Sequence, residues 1–222
     1  MHIPDGILPT SVLVGGYAVT GVATWLSLRK INQQANPQAG VPKAALLTAA
    51  FFVASWIHIP VPPTSVHLVL NGLLGVVLGY YAFPAILIGL FLQAIMFQHG
   101  GLTTLGVNAA MMGIPALLAY GLFRLGLRLA PADPASPKQR TIIGAAAFVA
   151  GAVGLALAAF IAFSLLITTI PATLAVEMER AAVTALTLAH LPLALIEGVF
   201  TVFVVAFLLR VKPEMMANGR KR

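Results

Sequence analysis

Long apolar runs separated by short polar breaks make up most of the chain. The runs cover residues 7–28, 44–123, 141–170 and 188–209. The first two breaks are rich in basic residues, namely Arg29, Lys30 and Lys43 in one and Arg124, Arg128, Lys138 and Arg140 in the other. Such breaks lie on the cytoplasmic side of a membrane protein, because loops that carry Lys and Arg stay there. The long run 44–123 therefore begins and ends on the same side and holds an even number of spans.

Helix breakers divide this long run into four predicted helices. The breakers are Pro60, Pro62 and Pro63, then Pro84, then Gly100 and Gly101. Four spans of about 20 residues fit a bilayer core roughly 30 Å thick, whereas two spans of twice that length do not. The predicted helices cover about 7–28, 44–58, 66–82, 84–98, 102–123, 141–170 and 188–209, and residues 172–187 form a predicted segment outside the membrane.

We therefore predict one all-α domain over residues 1–222, a polytopic bundle of seven transmembrane helices. Its amino terminus lies outside and its carboxyl terminus lies in the cytoplasm. This topology places twelve of the thirteen basic residues on the cytoplasmic side and leaves only Arg180 outside. The net charge of +7 then reflects membrane topology, so it gives no reason to expect a nucleic-acid partner.

Composition limits the kinds of protein and of metal site that are possible. With 59% hydrophobic and 9% charged residues, the chain is excluded from the soluble globular class, in which about a quarter of residues are charged. Because cysteine is absent, a metal site must use nitrogen or oxygen ligands. No Lys or Arg occurs before the first apolar run, so a cleavable signal peptide is not expected and the mature chain should begin at Met1.

The first residues form a candidate chelating group, Met1-His2-Ile3-Pro4-Asp5-Gly6. If Met1 keeps its α-amine, that amine, the backbone nitrogen of His2 and the His2 imidazole can bind one ion in a single plane. Square-planar nitrogen coordination suits Ni²⁺ or Cu²⁺. The alternative from these residues alone is a disordered terminus that carries a histidine by chance.

The predicted topology also places every histidine of the chain at the outer surface. They are His2, His58, His67, His99 and His190, the last at the predicted start of the seventh helix. His67 is a candidate for the fourth ligand, with Asn71 one helical turn below it on the same face. Thr64 or Ser65 is then expected to cap the third helix.

Four polar side chains fall inside predicted spans, where they are costly unless they have a role. They are Asn71, Gln93, Asn108 and Glu197. We expect Glu197 to make a hydrogen bond within the bundle, since about 10 Å of helix separates it from His190. Asn108 is expected to support an outer site, and Gln93 indicates no role.

Small residues recur every fourth position along the predicted sixth helix. They are Ala146, Ala150, Gly154, Ala158 and Ala162. Such a stripe lets membrane helices approach closely. It is either a seam inside the bundle or a face offered to another membrane subunit.

Three segments together resemble the CbiM/NikM family, the substrate-specific membrane components of nickel and cobalt energy-coupling-factor transporters. They are residues 1–6, the segment 65–72 around His67, and the segment 100–108 that ends at Asn108. The resemblance implies seven helices and an amino-terminal segment that folds back into the protein from outside. It also implies a square-planar metal site formed by the Met1 amine, the His2 backbone nitrogen and imidazole, and the His67 imidazole. We expect Asn71, Asn108 and His99 beside these ligands.

The resemblance further implies a transporter subunit that is not an enzyme and uses no cofactor. Ni²⁺ or Co²⁺ would be its transported substrate, and a prokaryotic cytoplasmic membrane its location. Its partners would be a membrane coupling subunit, two ATP-binding-cassette ATPases and often a small accessory membrane protein. The chain has no phosphate-binding loop ending in Gly-Lys-Ser or Gly-Lys-Thr, in agreement with ATP hydrolysis by partners.

Two other functions fit parts of the sequence. A structural or scaffolding membrane subunit would carry interfacial histidines and bind no stoichiometric metal. A self-contained divalent-cation channel or carrier would move metal without ATP-hydrolysing partners. The choice between nickel and cobalt also stays open, because low-spin Co²⁺ can occupy a square-planar nitrogen site as well.

Overall fold

The computed structural model describes residues 2–61, 64–133, 136–170 and 176–216. Its helices are α1 (Thr10–Asn32), α2 (Val41–Ala54), α3 (Asn71–Leu78), α4 (Ala82–Phe97), α5 (Leu105–Leu129), α6 (Pro137–Thr169) and α7 (Val176–Val211). Strands β1 (His58–Val61) and β2 (Thr64–His67) form an antiparallel hairpin that pairs His58 with His67. The predicted helical fold is confirmed, and this hairpin is the one sheet within the described residues.

Five stretches in the described part of the chain are long and apolar enough to cross a membrane. They are Thr10–Asn32, Asn71–Phe97, Leu105–Leu129, Pro137–Thr169 and Val176–Val211. The protein is therefore a multi-pass membrane protein. The count of seven spans and the orientation of the two termini stay predictions.

The predicted helix 66–82 is wrong at its start. Residues up to His67 belong to β2, and α3 begins only at Asn71, after Leu70 in the left-handed region at φ 55°. The proline-rich turn and the β-branched residues after it favour a hairpin over a helix here. Consequently Asn71 does not lie one helical turn below His67, and the positions of Thr64 and Ser65, predicted to precede a helix, belong to β2. The preceding helix also ends early, at Ala54 rather than residue 58.

The α-helix breaks at Gly79, not at Pro84 as predicted. Gly79 adopts φ 61° and ψ −126°, a conformation that is costly for residues with a Cβ atom. Pro84 instead lies in the first turn of α4, where its missing N–H leaves no helical hydrogen bond unmade. The result is a short helix of eight residues, α3, followed by α4.

Contacts along the helices give their relative directions. Asn71 donates to the Met112 carbonyl and Gly75 packs on Ala116, so α3 runs parallel to α5. In the same way, α2 runs parallel to α4. The contacts that show this are Thr48 to the Ala85 carbonyl and Gln93 to Ser55.

The last helix is longer than predicted and changes the position of His190. α7 begins at Val176, so residues 176–187 are helical, while residues 171–175 lie outside the described residues. The added stretch contains no Gly or Pro and is rich in helix-forming residues. His190 therefore lies well inside α7 rather than at its start. At 36 residues, about 54 Å, α7 exceeds the bilayer core of roughly 30 Å.

Smaller shifts affect the other helix ends. Against predicted ranges of 7–28, 84–98, 102–123 and 141–170, the structure has Thr10–Asn32, Ala82–Phe97, Leu105–Leu129 and Pro137–Thr169. Arg29 and Lys30 thus lie in the last turn of α1, and Arg124 and Arg128 lie within α5. Basic side chains continue a helix past the apolar run, because Lys and Arg are good helix formers.

The small-residue stripe of α6 is a seam inside the bundle. Ala150, Gly154, Ala158 and Ala162 are all buried. Gly154 lies against the backbone of Gly72 at the start of α3, and a Cβ atom there would come within 2.6 Å of the Gly72 Cα atom. Close backbone approach of this kind requires small residues on both helices.

Replacing Gly75 by alanine should destabilise the protein. Its added Cβ atom would overlap the Ala116 carbonyl oxygen of α5, which is backbone and cannot rotate away. We expect a loss of about 1–3 kcal/mol in the free energy of unfolding, measured by thermal denaturation in detergent. Gly21→Ala is the matched control, because nothing lies within 4 Å of its Cβ position and alanine favours a helix by about 0.5–1 kcal/mol. Equal melting temperatures for the two variants would contradict this packing.

Candidate metal centre

Three histidines from distant parts of the chain meet at one point. The nearest ligating nitrogens of His2, His67 and His99 all lie within 4.8 Å of one another. The His2 ring centroid is 5.0 Å from that of His67 and 4.2 Å from that of His99. The structure thus brings His99 among the possible ligands, where the sequence predicted only a supporting role. The predicted ligand Met1 lies outside the described residues.

Each histidine is held by a different local structure. His2 lies in a segment without regular secondary structure before α1, and His67 is the last residue of β2. His99 follows α4, where Gln98 takes the left-handed conformation at φ 53° and ends the helix. The His99 N–H then donates to the Gln93 carbonyl, which fixes the position of the loop.

The amino-terminal segment is anchored through Ile3. The Asn108 side chain accepts the Ile3 N–H at 3.0 Å and donates to the Ile3 carbonyl at 2.9 Å. The Thr104 hydroxyl donates to the same carbonyl at 2.7 Å. Ile3 itself is 2% exposed, so its side chain is part of the hydrophobic core. Asn108 therefore fixes the position of Ile3, the residue that follows His2. The sequence expected Asn108 to support an outer site.

A second anchor of this segment is the Asp5 carboxylate. It accepts the backbone N–H groups of Leu102, Thr103 and Thr104 and the hydroxyl of Thr103, just before α5 begins. The Thr103 hydroxyl is the largest cause that lowers the pKa of Asp5; desolvation opposes it, and each backbone N–H group lowers the pKa by a smaller amount. The negative charge also lies at the positive end of the α5 dipole. The sequence suggested only a turn at this position.

A buried chain of hydrogen bonds fixes the proton of the His2 ring. The Ser55 hydroxyl donates to the Phe52 carbonyl at 2.8 Å, so the Ser55 oxygen can only accept from Gln93, whose Nε2 lies 2.9 Å away. This orients the Gln93 amide with its oxygen 2.9 Å from His2 Nε2. His2 Nε2 must therefore carry the proton, which leaves the lone pair on Nδ1. Nδ1 is buried and makes no hydrogen bond with the described residues.

The His67 ring is oriented in the opposite sense. Its Nδ1 lies 3.0 Å from the Leu68 carbonyl and donates to it, so Nε2 carries the lone pair. Burial lowers the pKa of His2, His67 and His99, in the case of His99 to about 4, because the imidazolium form loses water. All three rings are therefore neutral at neutral pH, the form that binds a metal ion.

The corner between β2 and α3 is held by Glu197 of α7. Its two carboxyl oxygens accept the N–H groups of Val69, at 2.5 Å, and Leu70, at 2.9 Å. The side chain is fully enclosed, with Glu197 only 1% exposed. The expected hydrogen bond of Glu197 within the bundle is thus confirmed. The carboxylate gives hydrogen-bond partners to two backbone N–H groups, those of Val69 and Leu70. These groups lie where the left-handed residue Leu70 separates β2 from α3.

Asn71 has a structural role away from the three histidines. It donates to the carbonyls of Met112 and Gly154 at 3.2 and 2.9 Å, and its oxygen accepts the Gly72 N–H. These bonds tie α3 to α5 and α6. Sequence reasoning placed Asn71 beside the ligand because it assumed a helix from residue 66. Sequence reasoning also missed the role of Gln93. An amide side chain inside an apolar helix, six residues before His99, was a usable signal, and the structure shows that it is buried.

Glu197→Gln should lower the stability of the protein. A glutamine keeps one acceptor but turns an N–H₂ group toward the Val69 or Leu70 N–H, which leaves a buried donor unsatisfied. We expect a loss of about 1–3 kcal/mol in the free energy of unfolding, read from thermal denaturation in detergent. The same exchange at Glu177, whose side chain is 93% exposed, should change nothing measurable. A Glu197→Gln protein as stable as the Glu177→Gln protein would refute the role given to this carboxyl group.

The sequence matches one family model along most of its length. Residues 2–215 fit the model described as "Cobalt uptake substrate-specific transmembrane region", CbiM. A protein of Haemophilus influenzae named "Putative metal transport protein" is 39% identical over 222 residues, which cover 97% of both chains. The "Fused nickel transport protein NikMN" of Rhodobacter capsulatus is 32% identical, and the match covers 99% of this chain and 65% of that one.

Solved structures give the same result for the fold. One, titled as a truncated transition metal transporter, aligns with a TM-score of 0.72 and 25% identity. The alignment covers 95% of this chain and 99% of the other. Because the family model and the relatives span nearly all of the chain, the protein belongs to the CbiM family of cobalt uptake substrate-specific transmembrane regions.

Proposed function

We propose that this protein captures Ni²⁺ or Co²⁺ as the substrate of an uptake system in the cytoplasmic membrane. The ion is held in a square-planar set of four nitrogens: the Met1 amine, the His2 backbone nitrogen, His2 Nδ1 and His67 Nε2. The observation that carries the proposal is the pair of opposite ring orientations, with the lone pair on Nδ1 of His2 and on Nε2 of His67.

These two nitrogens are the ones that the chemistry of the site requires. Nδ1 is the ring nitrogen nearer the backbone, so it closes a small chelate ring with the His2 backbone nitrogen. His67 comes from another part of the chain and can bind without such a ring, through its distal nitrogen. Neutral imidazoles are the usual ligands of first-row ions in the middle and upper part of the affinity series.

His99 completes the polar surroundings of the ion. Its Nε2 is buried, has no hydrogen-bond partner among the described residues, and belongs to the same cluster. We place it beside the square plane, where it is a neutral donor facing the ion. A neutral imidazole beside the square plane is compatible with either Ni²⁺ or Co²⁺, so both ions stay as candidate substrates.

The energy for uptake comes from partners. We propose a membrane coupling subunit, two ATP-binding-cassette ATPases and a small accessory membrane protein, with the amino terminus outside and seven spans. The resemblance of residues 1–6, 65–72 and 100–108 to energy-coupling-factor transporters supports this assembly. The fused relative from Rhodobacter capsulatus, of which this chain covers 65%, is consistent with an additional membrane component.

Ni²⁺ binding should be strongly weakened when either the Met1 amine or the His67 imidazole is removed as a ligand. We expect one extra residue before Met1, or His67→Ala, to weaken Ni²⁺ binding by more than about 100-fold, since each removes a direct ligand. Isothermal titration of the purified protein in detergent measures the affinity. His58→Ala is the matched control, because this exposed ring lies next to His67, at 5.8 Å between centroids, but outside the cluster.

Unchanged affinity in both the extended and the His67→Ala protein would overturn the proposed ligand set. Nickel uptake by vesicles that contain this protein alone, without ATPases, would contradict the proposed dependence on partners. It would favour a self-contained carrier instead.

Gln93→Met should weaken Ni²⁺ binding by about 10–100-fold without removing a ligand. Methionine fills a similar volume but cannot accept the His2 Nε2 proton, so the ring loses the partner that keeps the lone pair on Nδ1. Gln93→Glu retains an acceptor oxygen and should bind more tightly than Gln93→Met. Titration of both variants under identical conditions makes the comparison, and wild-type affinity in Gln93→Met would refute the positioning role.

A further inference from the structure

One cavity is lined by every histidine of the chain. It has a volume of about 480 Å³ and lies between the amino-terminal segment, the hairpin and helices α6 and α7. His2, His67 and His99 line it together with His58 and His190. The remaining wall is mostly apolar, with Phe163 and Leu166 from α6 and Leu186 from α7, and no carboxylate of the described residues lines it.

The proposed capture site uses neither His58 nor His190, and of these two histidines only His190 is buried. His190 lies in the middle of α7 and is 1% exposed. Its Nδ1 donates to the Leu186 carbonyl at 2.7 Å, so the lone pair is on Nε2. Nε2 is buried and has no hydrogen-bond partner in the part of the chain that the structure describes.

A buried acceptor without a partner needs an explanation. Leaving such a group unpaired costs about 1–3 kcal/mol, and native proteins contain few of them. The backbone bond to Leu186 also fixes the orientation of the ring. The simplest partner for this lone pair, in a cavity lined by histidines, is a cation or a water molecule that is bound to a cation.

The position is separate from the capture cluster. His2, His67 and His99 come from the terminal segment, β2 and the loop after α4, and their nearest nitrogens lie within 4.8 Å of one another. His190 comes from α7 and is not a member of that group. At least one of the three rings therefore has its ligating nitrogen more than 4.8 Å from that of His190, so a single ion cannot bind all four histidines.

We propose that His190 Nε2 is the protein ligand of a second divalent-cation position in this cavity. The ion is a first-row transition metal such as Ni²⁺ or Co²⁺, because the wall offers imidazole nitrogen and none of the carboxylates that Mg²⁺ or Ca²⁺ requires. With one protein nitrogen and water as the other ligands, it binds more weakly than the capture site. It holds the transported ion next to that site before capture or after release, and in this it rests on the proposed function.

The test is a count of Ni²⁺ ions bound to the full chain. Equilibrium dialysis of the purified protein, read by elemental analysis, should give one tightly bound and one weakly bound ion. His190→Ala should lose the weak ion and keep the tight one with its affinity within about twofold, since sites without a shared ligand are nearly additive. Thr187→Val is the matched control, because it changes the same wall of the cavity without removing an imidazole.

The protein with one extra residue before Met1 distinguishes this inference from the proposed function. It should lose the tight ion and keep the weak one. Wild-type protein that binds no ion tightly would overturn the proposed function and, with it, the inference. Tight binding without a second ion, or a second ion that persists in His190→Ala, would overturn the inference alone.

A direct measurement covers the case in which His190→Ala does not fold. Crystals of the wild-type protein soaked in Ni²⁺ should show anomalous scattering about 2.1 Å from His190 Nε2, the usual length of a bond from imidazole to such an ion. The absence of this signal at a Ni²⁺ concentration that saturates the weak site would overturn the proposal.

Discussion

Two hydrogen bonds between the backbone of Ile3 and the side chain of Asn108 hold the amino-terminal segment from His2 onward against α5. Chain termini usually fray, because few contacts repay the entropy lost on ordering them. Here the amide of Asn108 pairs with Ile3 as a neighbouring strand would, and the carboxylate of Asp5 holds the segment a second time. The positions of His2 and of the cavity beside it depend on this anchoring, since His2 directly precedes Ile3 in the chain.

The polar side chains inside the helices share one physical task. Irregular backbone at membrane depth is tolerated only where its N–H and C=O groups find partners within the protein. Asn108 satisfies Ile3, Glu197 satisfies Val69 and Leu70, and Gln93 orients the ring of His2. The apolar helices thus carry few polar groups, and these are placed where the chain leaves regular structure.

The sequence singled out His2 and His67, which lie together in the structure, but it did not identify all of the residues that hold them in place. A terminal amine next to His2, and a histidine after a proline-rich turn, are local features that can be read without a fold. The support from Gln93 could not be found in this way, because it depends on which helix faces His2 and on the direction of the Ser55 hydroxyl. Asn71 was misplaced for a related reason: a hairpin replaced the expected first turn of a helix, so residue spacing no longer gave a shared face.

The hydrogen bonds from Val69 and Leu70 to Glu197 connect α7 directly to the corner after His67. No proline interrupts α7 between Glu197 and its end at Val211, and the turn that follows accepts the Lys43 ammonium at the Met215 carbonyl, 2.8 Å away. About 20 Å of helix without proline therefore connects the chain near Met215 to the carboxylate that holds the amides of Val69 and Leu70. The geometry around His67 thus depends on the position of α7 as well as on the hairpin that carries the ring.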